Sequence, residues 1–92
     1  MDVRTVHLIV EGHVQGVFYR ANTQEKGKEL GLKGTVKNLH SGSVEIYATG
    51  ADETLTELIE WCWEGPPYSK VTNVQVNRLP EVQNFTSFTV LY

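Results

Sequence analysis

Val6-His7-Leu8-Ile9-Val10-Glu11-Gly12-His13-Val14-Gln15-Gly16-Val17-Phe18-Tyr19-Arg20 holds the pattern on which the architecture turns. Val6, Leu8 and Val10 alternate with His7, Ile9 and Glu11, the period of a strand with one strongly apolar face. Gly12 and Gly16 then bracket a loop that ends near Arg20. From Ala21 to Leu30 the residues are helix formers, and Gly31 supplies the stop. The stretch reads as strand, glycine loop, helix. That helix is mostly polar, so the face it buries has to be narrow. Gly27 in its middle costs about 0.5–1 kcal/mol relative to alanine unless close packing requires it.

Beyond Gly31, Leu32 to Leu39 and Ser43 to Thr49 read as two strands around the turn His40-Ser41-Gly42, a hairpin signal. Asp52 is placed to cap a second helix, in which Leu55, Leu58, Ile59 and Cys62 fall at i, i+3, i+4 and i+7. Gly65-Pro66-Pro67 ends it. Val71 to Leu79 and Phe85 to Tyr92 supply two further strands, the last with Phe88, Val90 and Tyr92 on one face. The order is βαββαβ plus a C-terminal strand. Each helix joins two strands by a right-handed crossover, which puts both helices on one face of a mixed, mainly antiparallel sheet. The expected fold is an α+β two-layer sandwich of the ferredoxin-like kind.

Ninety-two residues suit one domain, expected over 1–92, and the 40% hydrophobic content is enough for one core. A net charge of −3 argues against a duplex nucleic-acid binder, which needs a basic face, although it leaves room for one arginine in a pocket. No run approaches the ~20 apolar residues of a membrane span, and the N-terminus lacks a signal-peptide core. One cysteine, Cys62, cannot form an internal disulfide, so a reducing cytoplasm is expected; separately, the protein is expected to be a monomer.

Two segments carry chemistry. In the first, His13-Val14-Gln15-Gly16-Val17-Phe18-Tyr19-Arg20, a strand enters a helix through a glycine-containing loop, which turns successive backbone N–H groups into one concavity. With the helix N-terminus these donors make an anion site. Arg20 adds a planar guanidinium that can hold two phosphate oxygens at once. Read alone, the segment is equally a turn carrying a solvent-facing arginine. The spacing is not that of a nucleotide P-loop, and no Lys-Ser/Thr pair follows. The second segment is Gly34-Thr35-Val36-Lys37-Asn38. Asn38, at a strand end, offers both a donor and an acceptor, which suits orienting a water, although capping the following turn is its commoner use.

Gly12-x-Val14-Gln15-Gly16-Val17-x-Tyr19-Arg20 followed by Gly34-x-Val36-x-Asn38-x-x-x-Gly42-x-Val44 resembles the acylphosphatase family. The resemblance covers nearly the whole chain, including Thr23-Gln24, Leu30-Gly31 and Phe88-x-Val90. It implies a ferredoxin-like fold and hydrolysis of carboxyl–phosphate anhydrides to a carboxylate and inorganic phosphate. It further implies that Arg20 binds the phosphate and Asn38 orients the attacking water, with the phosphate itself taking the water's proton. There are three departures from the family pattern. Tyr19 replaces the commoner phenylalanine, Gly27 stands where alanine is usual, and Thr35 occupies a position where many relatives carry an aromatic. Packing or acyl-group contact beside the site is expected to differ at Thr35.

The chemistry is consistent with what the sequence lacks. No Ser/His/Asp set or Cys/His pair has a local signature. A carboxylate leaving group is a weak base, with a pKa near ~4, and needs little proton assistance. Phosphoryl transfer then depends on positioning and charge stabilisation, so neither metal nor cofactor is expected. His7, His13 and His40 show no metal-ligand spacing. Trp61 and Trp63 flank the apolar stripe of the second helix and are expected to pack there, with Cys62 as a small core hydrophobe. The main competing reading is a non-catalytic binding module, because this fold also serves RNA readers and regulatory domains, and a second is an acylphosphatase-like domain serving a larger carbamoyl-transfer machine in trans. The stacking motif of an RNA reader is absent.

Overall fold

The alternation of residues 6–11 becomes one long strand, β1 (Val3–His13), in the interior of the sheet. The computed structural model describes residues 2–92. After β1 come α1 (Tyr19–Glu29), β2 (Lys33–Asn38), β3 (Val44–Ala51), α2 (Asp52–Glu64), β4 (Lys70–Arg78) and β5 (Phe88–Leu91). The sheet order is β4-β1-β3-β2-β5. β1 lies antiparallel to both β3 and β4, β2 lies antiparallel to β3, and β5 runs parallel to β2. The βα units β1-α1-β2 and β3-α2-β4 each pass over one intervening strand, so the expected two-layer α+β arrangement is present.

Register follows burial. Val6, Leu8 and Val10 of β1 stand opposite Ala48, Ile46 and Val44 of β3, and all six are fully buried. A slip of one residue would turn this whole set to the open face, so the pairing is strongly specified. α2 covers these strands with Leu55, Leu58 and Cys62, the stripe expected from its spacing. α1 packs on β2 and β5.

The buried face of α1 is as narrow as its polar sequence demands: Tyr19, Thr23 and Gly27, one residue per turn. A Cβ on Gly27 would overlap the ring of Phe88, 2.9 Å from Cγ, so the helix lies against Phe88 because the position is glycine. The helix ends in a Schellman motif, in which Leu32 N–H donates to the Gly27 carbonyl at 2.8 Å and Gly31 N–H to that of Lys28 at 3.0 Å. Gly31, at φ 75°, is the expected stop.

Two sequence expectations shift. Asp52 is the first helical residue rather than the cap. Ala51 holds the cap position without a side-chain bond, and the Asp52 carboxylate accepts from Arg78 Nη1 at 2.8 Å. The last strand begins at Phe88, not Phe85, and the chain ahead of it is tied down by polar contacts at Gln83. Gln83 N–H donates to Thr5 Oγ1, and Thr49 Oγ1 donates to the Gln83 carbonyl. Among the described residues, no helix is long and apolar enough to cross a membrane.

Candidate functional site

The loop between β1 and α1 is anchored at both ends and bare between them. Val14 is buried in the core, and Tyr19, the first residue of α1, is buried beside Trp61 with ring centroids 5.5 Å apart. The Tyr19 hydroxyl donates to the Cys62 carbonyl at 2.7 Å. That carbonyl lies in the last turn of α2, where helices leave carbonyls without intrahelical partners. The extra hydroxyl of tyrosine over phenylalanine thus joins the loop to the second helix. Burial pushes the Tyr19 phenol well above its ordinary range, so it stays neutral.

Between the anchors, Gly16 (φ 75°) and Phe18 (φ 64°) are both left-handed. Glycine adopts that region freely, whereas an aromatic residue there costs on the order of 1–3 kcal/mol. Among the described residues, no backbone carbonyl accepts from the amides of Gly16, Val17, Phe18 or Tyr19. Four unengaged donors on one bend beside a helix N-terminus are an arrangement able to cradle an anion. Gln15 ties this bend to the β2–β3 turn, its Nε2 donating to the carbonyls of Leu39 at 2.8 Å and Ser43 at 2.9 Å. Those residues flank the turn that follows Asn38.

Arg20 and Asn38 line the same cavity, of about 600 Å³. Arg20 is held from the far end of the chain. Its Nη1 donates to the Leu91 carbonyl at 3.2 Å, and its Cζ lies 4.9 Å from the centre of the Tyr92 ring. Asn38, the last residue of β2, has its side-chain oxygen buried with no hydrogen-bond partner among the described residues. An orphaned buried acceptor costs about 1–3 kcal/mol and calls for a donor, a ligand or a water. Arg20 is the only charged side chain among the lining residues.

Of the loop residues expected from sequence, Val14, Gly16, Phe18, Tyr19 and Arg20 line the cavity. His13 is an exposed end residue of β1, the Gln15 side chain is spent on the turn, and Val17 packs against the core. Ala21, Gln24, Thr89, Val90 and Tyr92 also line the cavity, and none of them was expected at the site. The alternation of Phe88, Val90 and Tyr92 was visible, but nothing local said which residue the last strand would meet. Thr35 does not line the cavity, although its register partner Thr89 does; it alternates with the buried Val36 and also pairs with Tyr47. Trp61 packs on the core as expected, whereas Trp63 stands 48% exposed. His7 accompanies Glu45 on the open sheet face, and His40 is exposed in the turn. No cluster of three His, Cys, Asp or Glu side chains suited to a metal ion occurs among the described residues.

The chain is similar to known proteins along its whole length. The family profile described as Acylphosphatase matches residues 6–90. A curated protein of Marinobacter nauticus named Acylphosphatase is 50% identical over 88 residues, covering 96% of each chain. The structure of an acylphosphatase from Coxiella burnetii superposes with a TM-score of 0.93 at 41% identity, covering 98% of this chain and 94% of that one. The crystal structure of acylphosphatase from Bacillus subtilis gives 0.94 at 35% identity, covering 97% and 99%.

Proposed function

The chain belongs to the acylphosphatase family and hydrolyses acyl phosphates, and on that premise we propose that Arg20 and the loop amides hold the phosphoryl group while Asn38 orients the attacking water. The observation that carries this reading is the buried, unpartnered oxygen of Asn38 in the cavity that Arg20 also lines. A water hydrogen-bonded to that oxygen keeps its lone pairs free for phosphorus.

Arg20 suits the phosphate role by how it is held. One of its five donors goes to the Leu91 carbonyl and one face of its plane to the Tyr92 ring, which leaves the rest of the planar fork for two phosphoryl oxygens. The amides of residues 16–19 meet the charge that spreads over the equatorial oxygens in the transition state. The carboxylate departs without a general acid, because its conjugate acid has a pKa of only about 4. The phosphoryl group takes the proton that water loses. Neither metal nor cofactor has a part in this scheme. The same reading makes residues 1–92 one domain of a monomeric cytoplasmic enzyme whose partners are an acyl phosphate and inorganic phosphate, with no nucleic acid or membrane. The charge of −3 and the single free thiol support that setting.

Hydrolysis of acetyl phosphate and thermal melting with inorganic phosphate test the two roles separately. Phosphate at a hundred-fold excess over its dissociation constant stabilises by about 2.7 kcal/mol, and each kcal/mol raises the Tm of a domain this size by roughly 4–8 °C. Arg20→Ala loses both turnover and the phosphate-induced rise. Arg20→Lys is also poor, because a point charge cannot grip two oxygens. Asn38→Ala keeps most of the rise and loses turnover. The roles are wrongly assigned if Asn38→Ala abolishes phosphate binding and Arg20→Ala retains it.

A further inference from the structure

We infer that the mouth of the cavity is an acyl-group subsite, walled by the side chains of Phe18, Val90 and Tyr92, that favours aromatic and other flat apolar acyl phosphates over small or anionic ones. The inference deepens the assignment above and rests on Arg20 holding the phosphoryl group.

A volume of about 600 Å³ is many times the ~30 Å³ share of one water, so the phosphoryl group and its nucleophile leave most of the space open. The walls of that remainder are apolar and uncovered. Phe18 is 79% exposed and Tyr92 is 95% exposed, although both are large rings that chains ordinarily bury. Phe18 also sits at a left-handed position, which bulky residues rarely adopt, so its ring is an odd choice for a turn that needs only shape. Tyr92 gives one face to the Arg20 guanidinium, and its exposure leaves the other face free. Phosphorus bound at the edge of that guanidinium puts the acyl carbon beside these rings. Val90, half buried, supplies a floor.

The polar side chains fit the same occupant. Gln24 spends its amide on the Phe88 carbonyl at 2.9 Å, and no charged side chain other than Arg20 lines the cavity. A second anionic group on the acyl part therefore meets no counter-charge. A phenyl ring covers Phe18 and Tyr92 and releases water from both. Because the acyl part changes little on the way to the transition state, that gain acts equally on substrate and transition state. It lowers KM and leaves kcat nearly unchanged.

Steady-state kinetics on benzoyl phosphate and acetyl phosphate, with wild type, Phe18→Ser and Phe18→Leu, test the subsite. Wild type favours benzoyl phosphate by roughly tenfold or more in kcat/KM, mostly through KM. That ratio falls by about tenfold in Phe18→Ser and is largely restored by Phe18→Leu. Melting with benzylphosphonate and methylphosphonate gives a reading free of turnover. The extra stabilisation by the benzyl compound disappears in Phe18→Ser, while inorganic phosphate still raises its Tm. An unchanged benzoyl-to-acetyl ratio in a Phe18→Ser protein that still binds phosphate overturns the subsite alone, as does an equal fall on both substrates. An Arg20→Ala protein that still binds methylphosphonate overturns the underlying assignment, so the two failures are distinguishable.

Discussion

Gln15 is the residue whose motif position hides its work. Two hydrogen bonds from one amide group join the anion loop to the backbone that follows Asn38. Neither acceptor depends on it, since the Leu39 carbonyl also receives Gly42 N–H and the Ser43 carbonyl also receives Leu39 N–H. Removing the side chain therefore strands no buried carbonyl, and the stability cost stays near the ~1 kcal/mol of an ordinary hydrogen bond. The spacing between the loop amides and the Asn38 side chain loses its tether, and under the proposed roles misplacement at that scale slows reaction steeply. Gln15→Ala is expected to lower kcat about tenfold with a Tm loss under roughly 8 °C. A variant with full kcat would show that Gln15 only braces the turn. Arg20 and Asn38 stood out because a guanidinium and an amide can hold phosphate and water, and the resemblance joined the two. Gln15's partners are backbone carbonyls, which no side-chain pattern marks.

At the scale of elements, α1 shows why a helix with almost no apolar stripe still docks. Its contact face is Tyr19, Thr23 and Gly27, and the volume missing at Gly27 is filled by Phe88 from β5. Two opposed effects meet at Gly27→Ala. Helix propensity favours alanine by about 0.5–1 kcal/mol, whereas overpacking a closed core costs about 1–3 kcal/mol. Phe88 is 2% exposed and cannot swing away, so overpacking wins. Gly27→Ala should lower the Tm by several degrees, and Phe88→Leu in the same chain should recover part of the loss. A rise in Tm would mean that α1 sits further from β5 than described. The sequence showed that the helix face must be narrow and that Gly27 needed a reason. Phe88, 61 residues later, is that reason, and periodicity within α1 holds no information about it.

For the molecule as a whole, burial of two ionisable groups in one place sets the alkaline limit of stability. Desolvation pushes the Cys62 thiol up from 9.0 to about 12, and the Tyr19 phenol, hydrogen-bonded to the Cys62 carbonyl, is raised as well. Above pH ~9 the unfolded chain sheds protons that the folded protein retains, so rising pH favours unfolding. Each group contributes a slope of up to about 1.4 kcal/mol per pH unit, the thiol from about 9 to 12 and the phenol from about 10 upward. Denaturant titrations between pH 8 and 11 should show this decline, with a shallower slope in Cys62→Ala. Cys62 should react with thiol reagents only after denaturation. A flat profile, or rapid labelling of the native protein, would place Cys62 outside the core. By itself the sequence determined the order of seven elements, the buried face of β1 and of α2, the glycine loop, and two residue types able to bind phosphate and water. Those features are local, because side-chain periodicity and the torsional preferences of glycine and proline act within a few residues. Tertiary structure alone decided what each site residue touches: Leu91 and Tyr92 on Arg20, the unpartnered oxygen of Asn38, and the exposed rings at the cavity mouth. Arg20 and Leu91 lie 71 residues apart, and they meet because the α1 crossover and the parallel pairing of β5 with β2 bring them to one edge of the sheet. Such meetings depend on how helices and strands pack across the whole fold.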